Sequence, residues 1–161
     1  MATNTIIKSA EPRGRFLEGI ISGTPKPGTV MQIKAATERI GGRFTFVVYD
    51  RDADGDHPAG PFYVLLEDKL QGRTVDTAYA DGERCFLYCP LPGDELNMLV
   101  TAAGTGTGDA IAIGDILMVD DGTGLLVATT GDPQTEAFMA AETLSDVVAA
   151  GTLTSVIFSG Y

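Results

Sequence analysis

The chain has 161 residues and a formal net charge of −11, from 11 Lys and Arg against 22 Asp and Glu. That length suits one domain, which buries about 70% of its unfolded surface and needs no disulfide or metal to hold it. No apolar run approaches the ~20 residues of a membrane-spanning helix, and the start MATNTIIKSAEPRGR lacks the apolar stretch of a secretory signal. The charge is uneven: residues 1–51 hold eight basic and four acidic side chains, residues 52–161 hold three and 18, and no basic residue follows Arg84. Such an acidic body is repelled by phosphate backbones, so nucleic acid is not an expected partner, and neither is a membrane. The basic N-terminal segment instead suits an acidic protein surface, either its own body or that of a partner.

In chain order, residues 1–25 carry isolated apolar positions (Ile6, Ile7, Phe16, Leu17) among polar and basic ones, with Pro12 and Gly14 between them. That is too sparse to build a core. It predicts an extended arm over 1–25, ordered on a neighbouring surface, ahead of a β-rich domain over 26–161. Ile6, Ile7, Lys8, Arg13, Arg15 and Phe16 are its candidate partner-binding residues, and removal of residues 1–20 is expected to leave the fold intact.

From residue 26 a repeated unit sets in, a turn with glycine followed by a short apolar run. It is seen in Pro27-Gly28 before TVMQIKAA, Gly82 before ERCFLYC, Pro92-Gly93 before DELNMLV, and Gly114-Asp115 before ILMVD. Further runs are RFTFVVY (43–49), PFYVLLE (61–67), AIAI (110–113), GLLVATT (124–130) and TSVIFSG (154–160). Runs this short, partly alternating and partly continuous, predict strands with at least one buried face, since helices need about ten residues or more. Asp120-Asp121-Gly122-Thr123 between two of them is a hairpin signal. GTGTGD (104–109) lacks the Lys-Ser/Thr ending of a phosphate loop. EAFMAAETLSDVVAAG (136–151) admits two readings: a short helix, from its helix-forming residues, or a strand over 137–142 followed by a loop.

The acidic stretch Tyr49 to Gly60, YDRDADGDHPAG, opens like an EF-hand loop, with Asp50, Asp52, Asp54 and Gly55 at the right places. Its ninth position is Pro58 and its twelfth is Pro61, so the bidentate ligand is missing, and the flanks read as strands. It is expected to be a polar bend, with a looser calcium site on Asp50, Asp52, Asp54 and Asp56 as the competing reading and no other metal or cofactor. His57 is the only histidine, and no sequence motif brings a nucleophile to it, so no catalytic residues and no enzyme activity are expected. Cys85 and Cys89 stand four residues apart on a predicted strand. That separates them by roughly 13 Å, beyond the ~7 Å limit for a disulfide. Both are expected to be reduced and to pack as hydrophobes, as in a protein made in a cytoplasm.

The order of these pieces resembles the head decoration, or capsid cement, proteins of tailed bacteriophages. GTPKPGTVMQIKAAT (23–37), GPFYVLLED (60–68), TVDTAYADGERCFLYCPLPGDELNMLV (74–100) and AIAIGDILMVDDGTGLLVATTGDP (110–133) carry the likeness. The resemblance implies a mainly β fold, a compact β-barrel or β-tulip domain with the N-terminal arm reaching onto a neighbour. It further implies a homotrimer on the outer capsid surface of a virion, bound to the major capsid protein and bridging its subunits. A β-rich carbohydrate- or surface-binding module with a calcium-assisted acidic loop is the alternative.

Overall fold

Glycine-containing turns cut the chain into strands too short to be buried singly, and the strands solve this by closing on one another. The computed structural model describes residues 5–8, 11–34, 39–50, 61–101, 110–120, 122–128, 136–145 and 151–160. Their strands are β1 (Arg15–Ile21), β2 (Val30–Ile33), β3 (Arg39–Ile40), β4 (Arg43–Val48), β5 (Tyr63–Leu65) and β6 (Arg84–Cys89). Then follow β7 (Glu95–Val100), β8 (Ile116–Val119), β9 (Leu126–Ala128), β10 (Glu136–Ala140) and β11 (Thr152–Phe158). The helical element among the described residues is a 3-10 turn at Lys69–Gln71. The fold is thus mainly β, as the turn-and-run pattern predicts.

The strands form two barrels. In the first the order is β1-β6-β5-β2-β4, and a parallel pairing of β4 with β1 closes the ring, with Ile20 opposite Thr45 and Ile21 opposite Phe46. The two-residue β3 is added at the edge of β4. The second barrel runs β7-β11-β10-β8-β9, closed by the parallel pairing of Val100 with Leu126. With β3 set aside, the two pairing diagrams are the same. In each barrel the first strand pairs in parallel with the third and antiparallel with the fifth. The second strand pairs antiparallel with the third and fourth, and the fourth with the fifth. The same turn opens the second strand of both: Gly28 (φ 88°) precedes β2 as Gly114 (φ 90°) precedes β8. One barrel plan is used twice.

Side-chain alternation explains the continuous apolar runs. Met31, Phe46, Tyr63, Leu65, Cys85 and Leu87 form the core of the first barrel. Phe62, Val64 and Leu66, which alternate with Tyr63 and Leu65 along β5 and its flanks, join a second cluster that contains Leu96, Met98, Leu117, Phe138 and Val156 of the second barrel. β5 is therefore buried on both faces, which is why PFYVLLE reads as an unbroken hydrophobic run. Rings continue the join, with Tyr49 and Phe62 centred 5.2 Å apart, Phe62 and Phe138 6.2 Å, and Phe138 and Phe158 5.2 Å. Main chain crosses it too. The Leu99 N–H donates to the Gly28 carbonyl at 3.1 Å, and the Val30 N–H donates to the Gly124 carbonyl at 2.8 Å.

Several expectations change. Residues 1–25 are not an extended arm outside the β domain throughout, because residues 15–21 are β1, paired with β6 and β4 inside the first barrel. Residues 136–140 take the strand reading: Phe138 and Ala140 are buried while Met139 between them is exposed, a period of two that no helix gives. Hydrogen-bonded neighbours on both sides override the helix propensity there. AIAI makes only an isolated bridge, Ile111 to Leu144. β8 and β9 pair antiparallel, as the hairpin signal between them predicts. Cys85 is buried and Cys89 partly so, both as free thiols, and burial pushes the Cys85 thiol up to about 12. The loop at 104–109 lies outside the described residues.

Gly124 tests the join. Its φ is +64°, and a Cβ there would lie 2.5 Å from the Val30 carbonyl oxygen and 2.9 Å from a Val48 methyl. Gly23 has a similar left-handed φ of +94° but open space around it. Gly124→Ala is expected to destabilise the chain by about 3 kcal/mol or more, because backbone cannot retreat from the clash. Gly23→Ala is expected to cost about 1–2 kcal/mol, the left-handed strain alone. Urea unfolding of the two variants beside the parent measures the difference.

Candidate functional site

With no catalytic grouping expected, the candidate site is a surface, and the first question is where the N-terminal residues go. Residues 5–8 run as a strap between the barrels. At one end the Thr5 hydroxyl donates to Glu67 Oε1 at 2.6 Å and the Ile6 N–H to Glu67 Oε2 at 3.1 Å, both on the first barrel. At the other end the strap pairs with β7: Ile7 bridges Leu96, the Asn97 N–H donates to the Ile6 carbonyl at 2.6 Å, and the Lys8 N–H donates to the Glu95 carbonyl at 3.0 Å. Ile6 is fully buried in the shared cluster.

The basic side chains follow the same path. Lys8 Nζ lies 2.9 Å from Glu95 Oε1 and donates to Ser155 Oγ at 2.9 Å. The Ser155 hydroxyl and the Lys8 ammonium hold the Glu95 carboxyl below the usual carboxylate range. The Arg13 guanidinium donates to the Pro92 carbonyl, and the Arg13 N–H donates to Asp94 Oδ1 at 3.3 Å.

Asp94 knots three segments together. Its Oδ2 accepts from the Tyr88 hydroxyl at 2.6 Å and from the Leu91 N–H at 2.8 Å, and the Tyr88 oxygen accepts from the Gly14 N–H at 2.6 Å. Burial pushes the Asp94 carboxyl up, but the bonds from Tyr88, Leu91 and Arg13 and the Arg13 charge outweigh it, and the group sits below its ordinary value. Burial, reinforced by Asp94, pushes the Tyr88 phenol up to about 12.

Of the six candidate residues, then, Ile6, Lys8 and Arg13 are engaged by the chain's own body. Ile6 has no exposed surface with which to hold a partner. Arg15 and Phe16 remain exposed at the start of β1, and Ile7 is half-buried. Ile7 and Phe16 line an open cleft of about 390 Å³ together with Leu66, Leu70 and Phe86. Leu70, 97% exposed, stands on the 3-10 turn whose Leu70 and Gln71 N–H groups donate to the Asp68 carboxylate. Asp52, Asp54, Asp56 and His57 lie outside the described residues, so the calcium reading of that loop has no geometry to rest on, although Asp50 is exposed at its edge. Among the described residues no group of three or more His, Cys, Asp or Glu side chains gathers to hold a metal.

Sequence reasoning missed a second surface. Ile113, Ile116 and Met139 are exposed on the outside of the second barrel, where Ile116 stands opposite Met139 and Met139 opposite Ile157. In the sequence they sit inside apolar runs that read as core. No signal there separates them from their buried neighbours.

The strap and the knot each generate testable expectations. Ile6→Ala is expected to cost about 3 kcal/mol by leaving a cavity between the barrels, and removal of residues 1–20, which deletes most of β1, to abolish cooperative folding. This replaces the expectation that the truncated body stays intact, and circular dichroism melts read both. Asp94 and Glu95 both bind protons less readily in the folded chain than in the unfolded one. Their contribution is therefore complete above about pH 5 and is lost as the pH falls through about 4 and below. Asp94→Ala is expected to cost about 2–3 kcal/mol at neutral pH and to flatten that acid-side loss, measured as urea midpoints from pH 7 to pH 3.

No family model matches the chain, and no curated protein matches it in sequence. Comparison of folds does find similar structures. The N base of the head fiber gp8.5 of bacteriophage phi29 superposes over 91% of this chain and 94% of its own, with a TM-score of 0.54 at 12% identity. At that identity the likeness is one of fold, and the chain shares its fold with a phage head protein.

Proposed function

We propose that this chain is a structural virion protein that binds the outer surface of a phage capsid and stabilises the head by bridging major capsid protein subunits. The observation that carries the reading is the match of nearly the whole chain to the base of a phage head fiber. The build of the molecule suits the role. Two barrels joined by one apolar cluster, a strap and a buried carboxylate knot make a stiff body, and stiffness is what lets a bridging protein resist the movement of the subunits it joins. A ligand that favours the assembled lattice stabilises it by mass action. The protein acts without catalysis, and repeated sites on a shell favour symmetric copies, with a trimer as the proposed state.

Heads of the encoding phage, prepared without this protein, test the proposal. The purified chain is expected to co-sediment with them to a fixed stoichiometry and to raise the temperature at which they release DNA. Failure to co-sediment, or binding with no change in head stability, would count against it.

A further inference from the structure

We propose that the outer face of β8, β10 and β11 is the docking surface of this chain, and that it takes a protein surface presenting Lys and Arg around an apolar recess. This rests on the head-binding reading and assigns that reading its face and the chemistry of its partner.

The apolar part is a row fixed by register. Directly opposed residues of antiparallel strands point to the same side, so Ile116, Met139 and Ile157 stand side by side across the three strands. Ile113 extends the row from the adjoining turn, where the Gly114 N–H donates to the Ala140 carbonyl at 2.8 Å and the Ile113 N–H to Thr143 Oγ1 at 3.1 Å. Ile113 is 68% exposed, Ile116 43% and Met139 36%. These side chains are held out by paired backbone rather than by a frayed end. A contiguous exposed apolar row on a sheet marks a contact surface more than isolated exposed residues do.

Charge decides what covers it. Residues 90–161, which build the whole second barrel, contain ten of the chain's 22 acidic residues and none of its 11 basic ones. Two copies meeting through this barrel would bring together two bodies of the same net sign, which opposes a symmetric self-contact. Anionic lipid and nucleic acid are repelled for the same reason. The nearest internal cations, Lys8 and Arg13, are engaged with Glu95, Pro92 and Asp94 along the strap. What fits an apolar row on an all-acidic barrel is a basic protein surface with an apolar centre.

The test uses heads of the encoding phage that lack this protein, mixed with purified full-length chains and sedimented. The parent chain is expected to bind, and to bind several-fold more weakly when salt rises from about 50 to 300 mM. Ile116→Ser with Met139→Ser is expected to weaken binding at least tenfold, and Ile113→Ser alone, outside the strands, by several-fold without a change in melting temperature. Leu70→Ser, on the other barrel, is expected to bind like the parent. Parent-like binding by Ile113→Ser and the double variant, salt-insensitive binding, or loss of binding with Leu70→Ser would overturn the assignment. So would a drop in the variants' oligomeric state with head binding intact, the mark of a self-contact. If the parent itself fails to bind heads, the head-binding reading falls, a result distinct from all of these.

Discussion

The structure depends on one strand having no free face. β5 gives Tyr63 and Leu65 to the core of the first barrel and, through Phe62, Val64 and Leu66 on the opposite side, joins the cluster that fills the second. Small five-stranded barrels enclose few side chains, and each alone would be marginal. Packing the outside of one against the other lets the second barrel's cluster extend across the outer face of β5. The close backbone approach at Gly28 and Gly124 follows from this, since larger residues there would hold the barrels apart. So does the position of the strap, whose Ile6 fills the same cluster from the side.

Polar groups then fix what the apolar contact leaves free to slide. A hydrophobic seam is not directional, whereas the bonds at Asp94 and along residues 5–8 are. Asp94 sits where the chain passes from one barrel to the next, and it binds the N-terminal segment, the end of β6 and the linker at once. The basic balance of the N-terminal part is answered by carboxylates of the acidic barrel, Lys8 by Glu95 and Arg13 by Asp94. The charge asymmetry evident in the sequence is thus used inside the molecule first. The outer face of the second barrel carries the exposed apolar row to which the proposed docking is assigned.

The strands were legible wherever local chemistry specifies them. Turn glycines and short apolar runs marked β2, β4 to β9 and β11, because both signals lie within a few residues of the element they make. β1 was not legible. Its Gly19 is there to admit the Phe46 ring, within 2.4 Å of where a Cβ would be, and its partners lie far along the chain. Residues 136–140 stayed open between helix and strand in the sequence, since good helix formers become a strand only when neighbours on both sides supply hydrogen bonds. The repeated barrel plan was hidden because it resides in pairing, not in residue identity. The glycine two residues ahead of β2 and of β8 gave no sign of it, because β4, β6, β7 and β9 are preceded in the same way. The arm residues were singled out as partner-binding, and the own-body alternative for their charges is the one the structure displays for Lys8 and Arg13. The row at Ile113, Ile116 and Met139 was invisible, for exposure on a barrel depends on which face closure turns outward.

The proposed architectural role on a capsid draws on a fold shared with a phage head-fiber base, two barrels joined by one apolar cluster, and an exposed apolar row. Electron cryo-microscopy of the encoding phage's heads, with and without this protein, tests that account most directly. Added density is expected on the outer shell, in which the second barrel, by its β8, β10 and β11 face, meets basic residues of two or more capsid subunits. Identical shells in the two preparations, or density in which that face points to solvent, would contradict it.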